Sequence, residues 1–333
     1  MPKDLIHKLS QLKQSDEIWE GTVRLARMWI TPKREAAYRP SIITFLDGNG
    51  KLLGTEILDK TPTTDQIWNT LTHMMRRPML GAGWPRRPRM VYFDNLEQQQ
   101  AMAPLLDAIG VRCEFRRNLP ALEAALTEME KMMNRREKPF PGLISILGIT
   151  PPLLGHIYTS ASEFFEMAPW RVLNDFHPIE IRYPADAPAR YAVVMGSGGE
   201  VYGVSVQDTL AELKKMYAAP ERHDLTDEMT WLVLFYEKAM TMSFDDLDAI
   251  TQYGWPVTDE LAYPVIGRAE PGAEIGLPTR QDLFWLAAAL PACNLYIKQH
   301  LKLKRGKVLP AELTLTVPIL GTPTKVYLRL PAL

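Results

Sequence analysis

Apolar and polar positions along this chain predict two successive sets of strands and helices. Near the N-terminus Leu5, Ile6, Leu9 and Leu12 share one side of a short amphipathic helix over 3–14. Trp19, Val23 and Leu25 lie on one period-2 face, which predicts a strand over 19–30 whose pattern breaks at Arg27. Ile42, Ile43, Phe45 and Leu46 form a near-continuous apolar run, as in a strand covered on both faces. Asp47-Gly48-Asn49-Gly50 is a tight turn, because Gly and Asn accept the positive φ that hairpins require, and 51–58 is the return strand. Thr63 or Thr64 caps a helix to about residue 75 carrying Ile67, Trp68, Leu71 and Met74. A strand at 89–94, a helix at 97–109 closed by Gly110, a strand at 111–115 and a helix at 119–136 complete the first set.

A stretch with Pro139, Pro141, Pro151 and Pro152 separates the two sets. The second opens on a helix at 158–167 and a strand at 178–183. Hairpin arms at 191–195 and 201–206 flank Gly196-Ser-Gly-Gly199. A helix at 208–217, a strand at 231–236, a helix capped by Ser243 and ending near Gly254, and a strand at 263–268 follow. The longest helix spans 279–300, with Pro291 as a point of interruption, and strands at 313–317 and 324–330 read as an added terminal hairpin. The expected domains are 1–137, a linker over 138–155, and 156–333.

Within each set three strands joined by short links predict an antiparallel meander, and later strands reached through helices predict parallel crossovers. This order resembles the ribonuclease H-like fold over about residues 18–137, and 156–333 reads as a second copy. The expected class is therefore α/β with a mixed sheet: two tandem ribonuclease H-like βββαβαβα units and a C-terminal hairpin. That resemblance implies a test. Enzymes of the fold hold two divalent metals between carboxylates, one in the middle of the first strand and one at the end of the fourth. Asp94 stands at the fourth-strand position, but Val23-Arg24-Leu25-Ala26-Arg27 offers no acid on the first strand, and Asp47 belongs to its neighbour. In the second set Ile179-Glu180-Ile181 carries the one first-strand acid. Asp47 reads as a turn residue and Asp94 as a helix cap. They are the weak catalytic candidates, and no metal site is expected.

Composition narrows the class. The 333 residues are 46% hydrophobic and 23% charged with net charge −1, as in an ordinary globular protein without a global pull on nucleic acid or membranes. The first seventeen residues lack the apolar core of a secretory signal, and the apolar run 143–154 is broken by Gly148, Pro151 and Pro152. Cys113 and Cys293 are expected as reduced thiols in the cytoplasm. Gly196-Ser-Gly-Gly199 lies between two strands and lacks the endings of nucleotide-binding loops, so it reads as a hairpin turn, and no cofactor is expected.

The densest candidate surface is basic. Arg76, Arg77, Arg86, Arg87 and Arg89 crowd around a Gly/Pro loop that carries Trp84. Such a patch can take a phosphate-bearing ligand or single-stranded nucleic acid, with a solvated arginine-rich loop as the simpler reading. Ala168-Pro-Trp-Arg-Val-Leu-Asn-Asp-Phe176 and Val193-Val-Met-Gly-Ser-Gly-Gly-Glu-Val-Tyr-Gly203 resemble a group of uncharacterised bacterial domains, and Trp19-Glu-Gly with Arg39-Pro a companion group. The resemblance implies a bacterial cytosolic protein and assigns no catalytic residue. The expected function is non-catalytic binding or regulation of a protein or phosphate-bearing partner, at the arginine loop and the groove between domains. A metal-dependent hydrolase or nuclease and an oligomeric scaffold are the alternatives.

Overall fold

A computed structural model of the chain describes residues 3–133, 141–218 and 229–330. Residues 134–140, where the helix 119–136 and the linker were expected to meet, lie outside the described residues. The chain divides into two compact units, Met1–Lys138 and Pro139–Leu333.

The first unit runs α1 (Lys3–Ser10), β1 (Ile18–Leu25), β2 (Ser41–Leu46), β3 (Leu52–Leu58), α2 (Thr64–Arg76), β4 (Met90–Phe93), α3 (Leu96–Asp107), β5 (Arg112–Phe115) and α4 (Pro120–Met133). Its sheet has the order β3-β2-β1-β4-β5. β1, β2 and β3 pair antiparallel, whereas β1–β4 and β4–β5 are parallel, as short links and helical crossovers respectively require. β2 is buried at every position because both sheet faces are covered. Trp19, Ile43, Phe45, Trp68, Leu71 and Phe93 pack on the side of α2 and α3, and Ile42, Leu46, Met90, Leu122 and Leu126 on the side of α4. Gly21 is required at the centre of β1, since a Cβ there would lie 2.2 Å from the Phe45 ring. Thr63 and Gln66 close a reciprocal capping box on α2.

The second unit runs α5 (Pro151–Met167), β6 (Ile179–Arg182), β7 (Arg190–Met195), β8 (Gly203–Gln207), α6 (Leu210–Ala218), β9 (Trp231–Glu237), α7 (Phe244–Tyr253), β10 (Tyr263–Ala269) and α8 (Arg280–Gln299). A small ribbon, β11 (Leu303–Lys304) and β12 (Lys307–Val308), and a long hairpin, β13 (Ala311–Ile319) and β14 (Thr322–Leu330), end it. The main sheet has seven strands in the order β10-β9-β8-β7-β6-β14-β13, and every pair is antiparallel. This corrects the expectation of a second ribonuclease H-like copy. That order needs β9 to pair in parallel with β6, but β14 occupies this edge, through Tyr327↔Arg182, Leu328↔Ile181 and Arg329↔Glu180. β9 instead returns antiparallel beside β8. The terminal hairpin is thus part of the sheet rather than an addition. Glu180, fully buried at the joint, is clamped by Arg182 at 2.6 Å and by Arg329.

The proline-rich stretch 141–155 belongs to the second unit. The backbone N–H groups of Leu143 and Ile144 donate to the buried Asp246 carboxylate at 2.9 and 3.1 Å, tying the turn Leu143–Ser145 to α7. α8 runs unbroken through Pro291. Proline removes the N–H that would bond Ala287 four residues earlier. The His156 Nε2 atom on α5 lies 2.9 Å from that carbonyl oxygen, so Nε2–H replaces the lost donor. Trp170 packs between Phe164 and Phe165 of α5 and Tyr202 and Tyr236 of the sheet region, anchoring the lead-in helix.

Candidate functional site

The carboxylates do not converge. Asp47 is buried at the end of β2, where Oδ1 accepts the N–H groups of Asn49 and Lys51, both at 2.9 Å. It shapes the hairpin turn. Asp94 follows β4 and accepts the Thr22 hydroxyl at 2.7 Å. Thr22 is buried on β1, at the first-strand position where the metal-binding reading needs an acid. Beside it Arg24 grips Glu123 with both guanidinium nitrogens at 2.9–3.2 Å. Glu20, on the same face, accepts the Leu122 N–H near the start of α4. Among the described residues no group of three or more His, Cys, Asp or Glu side chains is placed to hold a metal ion.

Burial pushes the Asp94 carboxyl above its usual range, against the lowering effects of the Thr22 bond and of Arg24. A raised folded pKa contributes stability that is present at low pH and lost as pH rises through it. Asp94→Asn, which keeps an acceptor for Thr22, is therefore expected to raise stability at pH 7 by about 1 kcal/mol or less, with the gain vanishing below about pH 4. Thermal unfolding against pH checks this. A destabilised variant, or manganese that stabilises the parent protein and not Asp94→Asn, would show a carboxylate with a different purpose.

The arginine loop separates into two groups. Arg86 is 4% exposed: Nε reaches both oxygens of Glu17 at 2.8–2.9 Å, Nη1 donates to the carbonyls of Ala82 and Trp84, and Nη2 lies 3.6 Å from Asp47. Its guanidinium also lies over the Trp19 ring. Arg87 donates to the carbonyls of Leu12 and Ile109. Both hold the loop and α1 to the sheet and face inward. Arg76, Arg77, Trp84 and Arg89 are exposed, with Arg76 bonded back to the Thr72 carbonyl. What remains is a smaller exposed set, to which the same loop adds the fully exposed Leu80.

In the second unit Gly196 O accepts the Gly199 N–H, a turn with no phosphate-cradle geometry. His177 Nδ1 accepts the Asn174 N–H within a turn. Both thiols are pushed up to about 12 by burial, which leaves Cys113 and Cys293 without thiolate at neutral pH. Arg190, Asp208, Arg268 and Asp282 form an ion network at the start of α8. Asp282 Oδ1 accepts from Arg190 and Arg268 at 2.9 and 3.1 Å, and its Oδ2 from the N–H and hydroxyl of Thr279. Glu270 joins through Arg268 at 2.8 Å, so two guanidiniums serve three carboxylates, and the network reads as a structural clamp.

One cavity has the features of a ligand site. It holds about 380 Å³ and lies on the β7–β8–β9 face that also carries α6. Val193, Met195, Val233, Phe235 and Met216 form its walls, and Val201 and Ile275, 46% and 41% exposed, stand at its mouth. Asp175, Ser205, Gln207, Trp231 and Glu237 bring polar groups to the lining, and Gln207 and Trp231 are register partners across β8 and β9. Gln207 is fully buried, and its Nε2 donates to Ser205 Oγ at 3.3 Å. Gln207 Oε1 and Trp231 Nε1 are both buried without a hydrogen-bond partner among the described residues. A buried unpaired donor and acceptor cost about 1–3 kcal/mol each. The sequence marked none of these residues. The available signal was the period-2 polar pair Ser205 and Gln207 on an otherwise apolar interior strand.

The molecule is thus a chain of two α/β units, each with its own sheet and core. Residues 5–130 match the family described as Domain of unknown function (DUF6930), and residues 155–309 the family described as Domain of unknown function (DUF7309). The two stand in tandem and confirm the resemblance to two companion uncharacterised domains. A comparison with curated proteins returns no match. No described helix is long and apolar enough to cross a membrane.

Proposed function

We propose that this is a non-catalytic binding protein of the bacterial cytosol whose ligand site is the cavity over β7, β8 and β9. The carrying observation is a mostly apolar pocket, open at one side, spread over three adjacent strands and α6. Pockets of this size lined by apolar walls with a few placed polar groups are the usual form of a small-molecule site. The non-catalytic reading is supported in the first unit, where Thr22 and the Arg24–Glu123 pair fill the space beside Asp94 with neutralised partners. The reduced, burial-raised thiols fit a reducing compartment.

The test uses the neutral fluorescent probe N-phenyl-1-naphthylamine. Full-length protein is expected to bind it with enhanced emission. Val233→Trp, which fills the floor, and Val201→Trp, which closes the exposed mouth, are each expected to weaken binding at least tenfold while the circular dichroism spectrum is unchanged. Equal binding by the parent and by folded Val201→Trp would place the site elsewhere.

A further inference from the structure

We infer that β3 and α2 of the first unit form a groove that takes an extended peptide segment of a partner protein, added antiparallel to β3. The inference stands apart from the cavity of the second unit. β3 has β2 as its one neighbour in the sheet. On β2 the Asp47 N–H donates to the Lys51 carbonyl on the β3 side, and just before β2 the Pro40 carbonyl accepts the Ala26 N–H on the β1 side. Odd-numbered residues of β2 therefore face β3, and their register partners Gly54, Glu56 and Leu58 take those bonds. The N–H and C=O groups of Thr55 and Ile57 point outward and have no backbone partner among the described residues. Beyond them the Leu53 carbonyl is closed by the Met79 N–H at 2.9 Å. β3 carries none of the lysines or prolines that ordinarily blunt a free edge. Addition of a strand to such an edge is a common mode of peptide recognition.

The groove beside this edge holds about 600 Å³ and is walled on the helix side by Gln66, Asn69, His73 and Arg77, one exposed stripe of α2. Gly54 and Glu56 face that side: a Cβ at Gly54 would meet Met74, and Glu56 accepts the Thr70 hydroxyl. Thr55 and Ile57 face the other side, where Ile57 is 49% exposed. An added strand alternates in the same way. Its residue opposite Glu56 is Lys or Arg. Its residue opposite Gly54, at the end of the groove where α2 brings His73 and Arg77, is Asp or Glu. The residues opposite Thr55 and Ile57 are β-branched and apolar, to cover Ile57. A second copy of this chain is the wrong occupant. Pairing through the same four groups sets Glu56 of one copy directly opposite Glu56 of the other, and directly opposed like charges are destabilising.

The test is amide hydrogen exchange, read by NMR on ¹⁵N-labelled full-length protein. The probes are the end-capped peptide Thr-Val-Lys-Val-Glu-Thr and its charge swap Thr-Val-Glu-Val-Lys-Thr. With the first peptide at about ten times its dissociation constant, exchange at Thr55 and Ile57 is expected to slow about tenfold, because these two amides exchange from the free edge. Gly54 and Glu56, already bonded to β2, serve as the internal reference. The charge-swapped peptide is expected to bind at least about threefold more weakly, the scale of exposed charge pairs. Arg77→Glu is expected to narrow that gap. Ile57→Pro removes one outward donor at an edge position where proline is tolerated, and is expected to weaken binding of the first peptide several-fold. Unchanged exchange at Thr55 and Ile57 with millimolar peptide would overturn the inference. Equal binding of both peptides, in the parent and in Arg77→Glu, would do the same. So would protection of the two amides that rises with protein concentration alone, which would make the occupant a second copy.

Discussion

Arg86→Ala is expected to destabilise the first unit by about 3–5 kcal/mol, the range for leaving one side of a buried ion pair uncompensated. The side chain is 4% exposed and bonds both oxygens of Glu17 and two backbone carbonyls of its own loop, with Asp47 at 3.6 Å. Truncation strands those acceptors and removes the cation stacked on Trp19, itself fully buried in the core. Hydrogen exchange on the full-length chain checks this, because it reads β1, β2 and β4 amides separately from those of the second unit. The core amides should lose protection by a factor of several hundred or more. Arg77→Ala, at an exposed position at the end of α2, should stay within about 0.5 kcal/mol of the parent. A small effect of Arg86→Ala would return that residue to the exposed basic surface.

Asp282→Ala should have a comparable effect in the second unit, about 3–5 kcal/mol. The carboxylate is 1% exposed and joins three elements: the N-cap of α8, Arg190 on β7 and Arg268 on β10. Burial pushes its pKa up, but the Thr279 hydroxyl and N–H, Arg268 and Arg190 outweigh that and hold the group below its usual value. A depressed folded pKa contributes stability that is present above the unfolded value near 3.8 and lost as pH falls through the folded one. The gap between parent and variant should therefore be constant from about pH 5 to 8 and shrink below about pH 4. Urea unfolding at stepped pH measures it. A gap that persists undiminished in acid would mean that packing, and not the ionised carboxylate, accounts for the loss.

What the sequence disclosed follows the range of the interactions concerned. The turn at Asp47-Gly48-Asn49-Gly50, the doubly covered strand at Ile42–Leu46, the cap at Thr63 and the stop at Gly110 are set by residues within a few positions of one another, and all were legible. The first sheet's order was legible because link length alone separates its antiparallel from its parallel pairs. The second sheet failed on a contact between distant segments. The place of β9 is decided by β14, almost a hundred residues later, taking the free edge of β6. The division of the arginine cluster into inward-facing and exposed members was hidden for a related reason. Composition counts charges, whereas the burial of Arg86 depends on Glu17 and Asp47, far from it in the chain. Gln207 and Trp231 became visible only when strand pairing placed them opposite each other on a face left partly open beside α6.

The most direct test of the binding-site assignment is a titration of full-length protein, labelled with ¹⁵N at its eight tryptophan indoles, with N-phenyl-1-naphthylamine. Trp231→Phe identifies the Trp231 resonance. The account predicts that this resonance shifts to saturation in step with probe fluorescence, while exposed Trp84 in the first unit stays in place. A Trp231 signal that does not move while that of Trp84 does would contradict it and direct attention to the arginine loop.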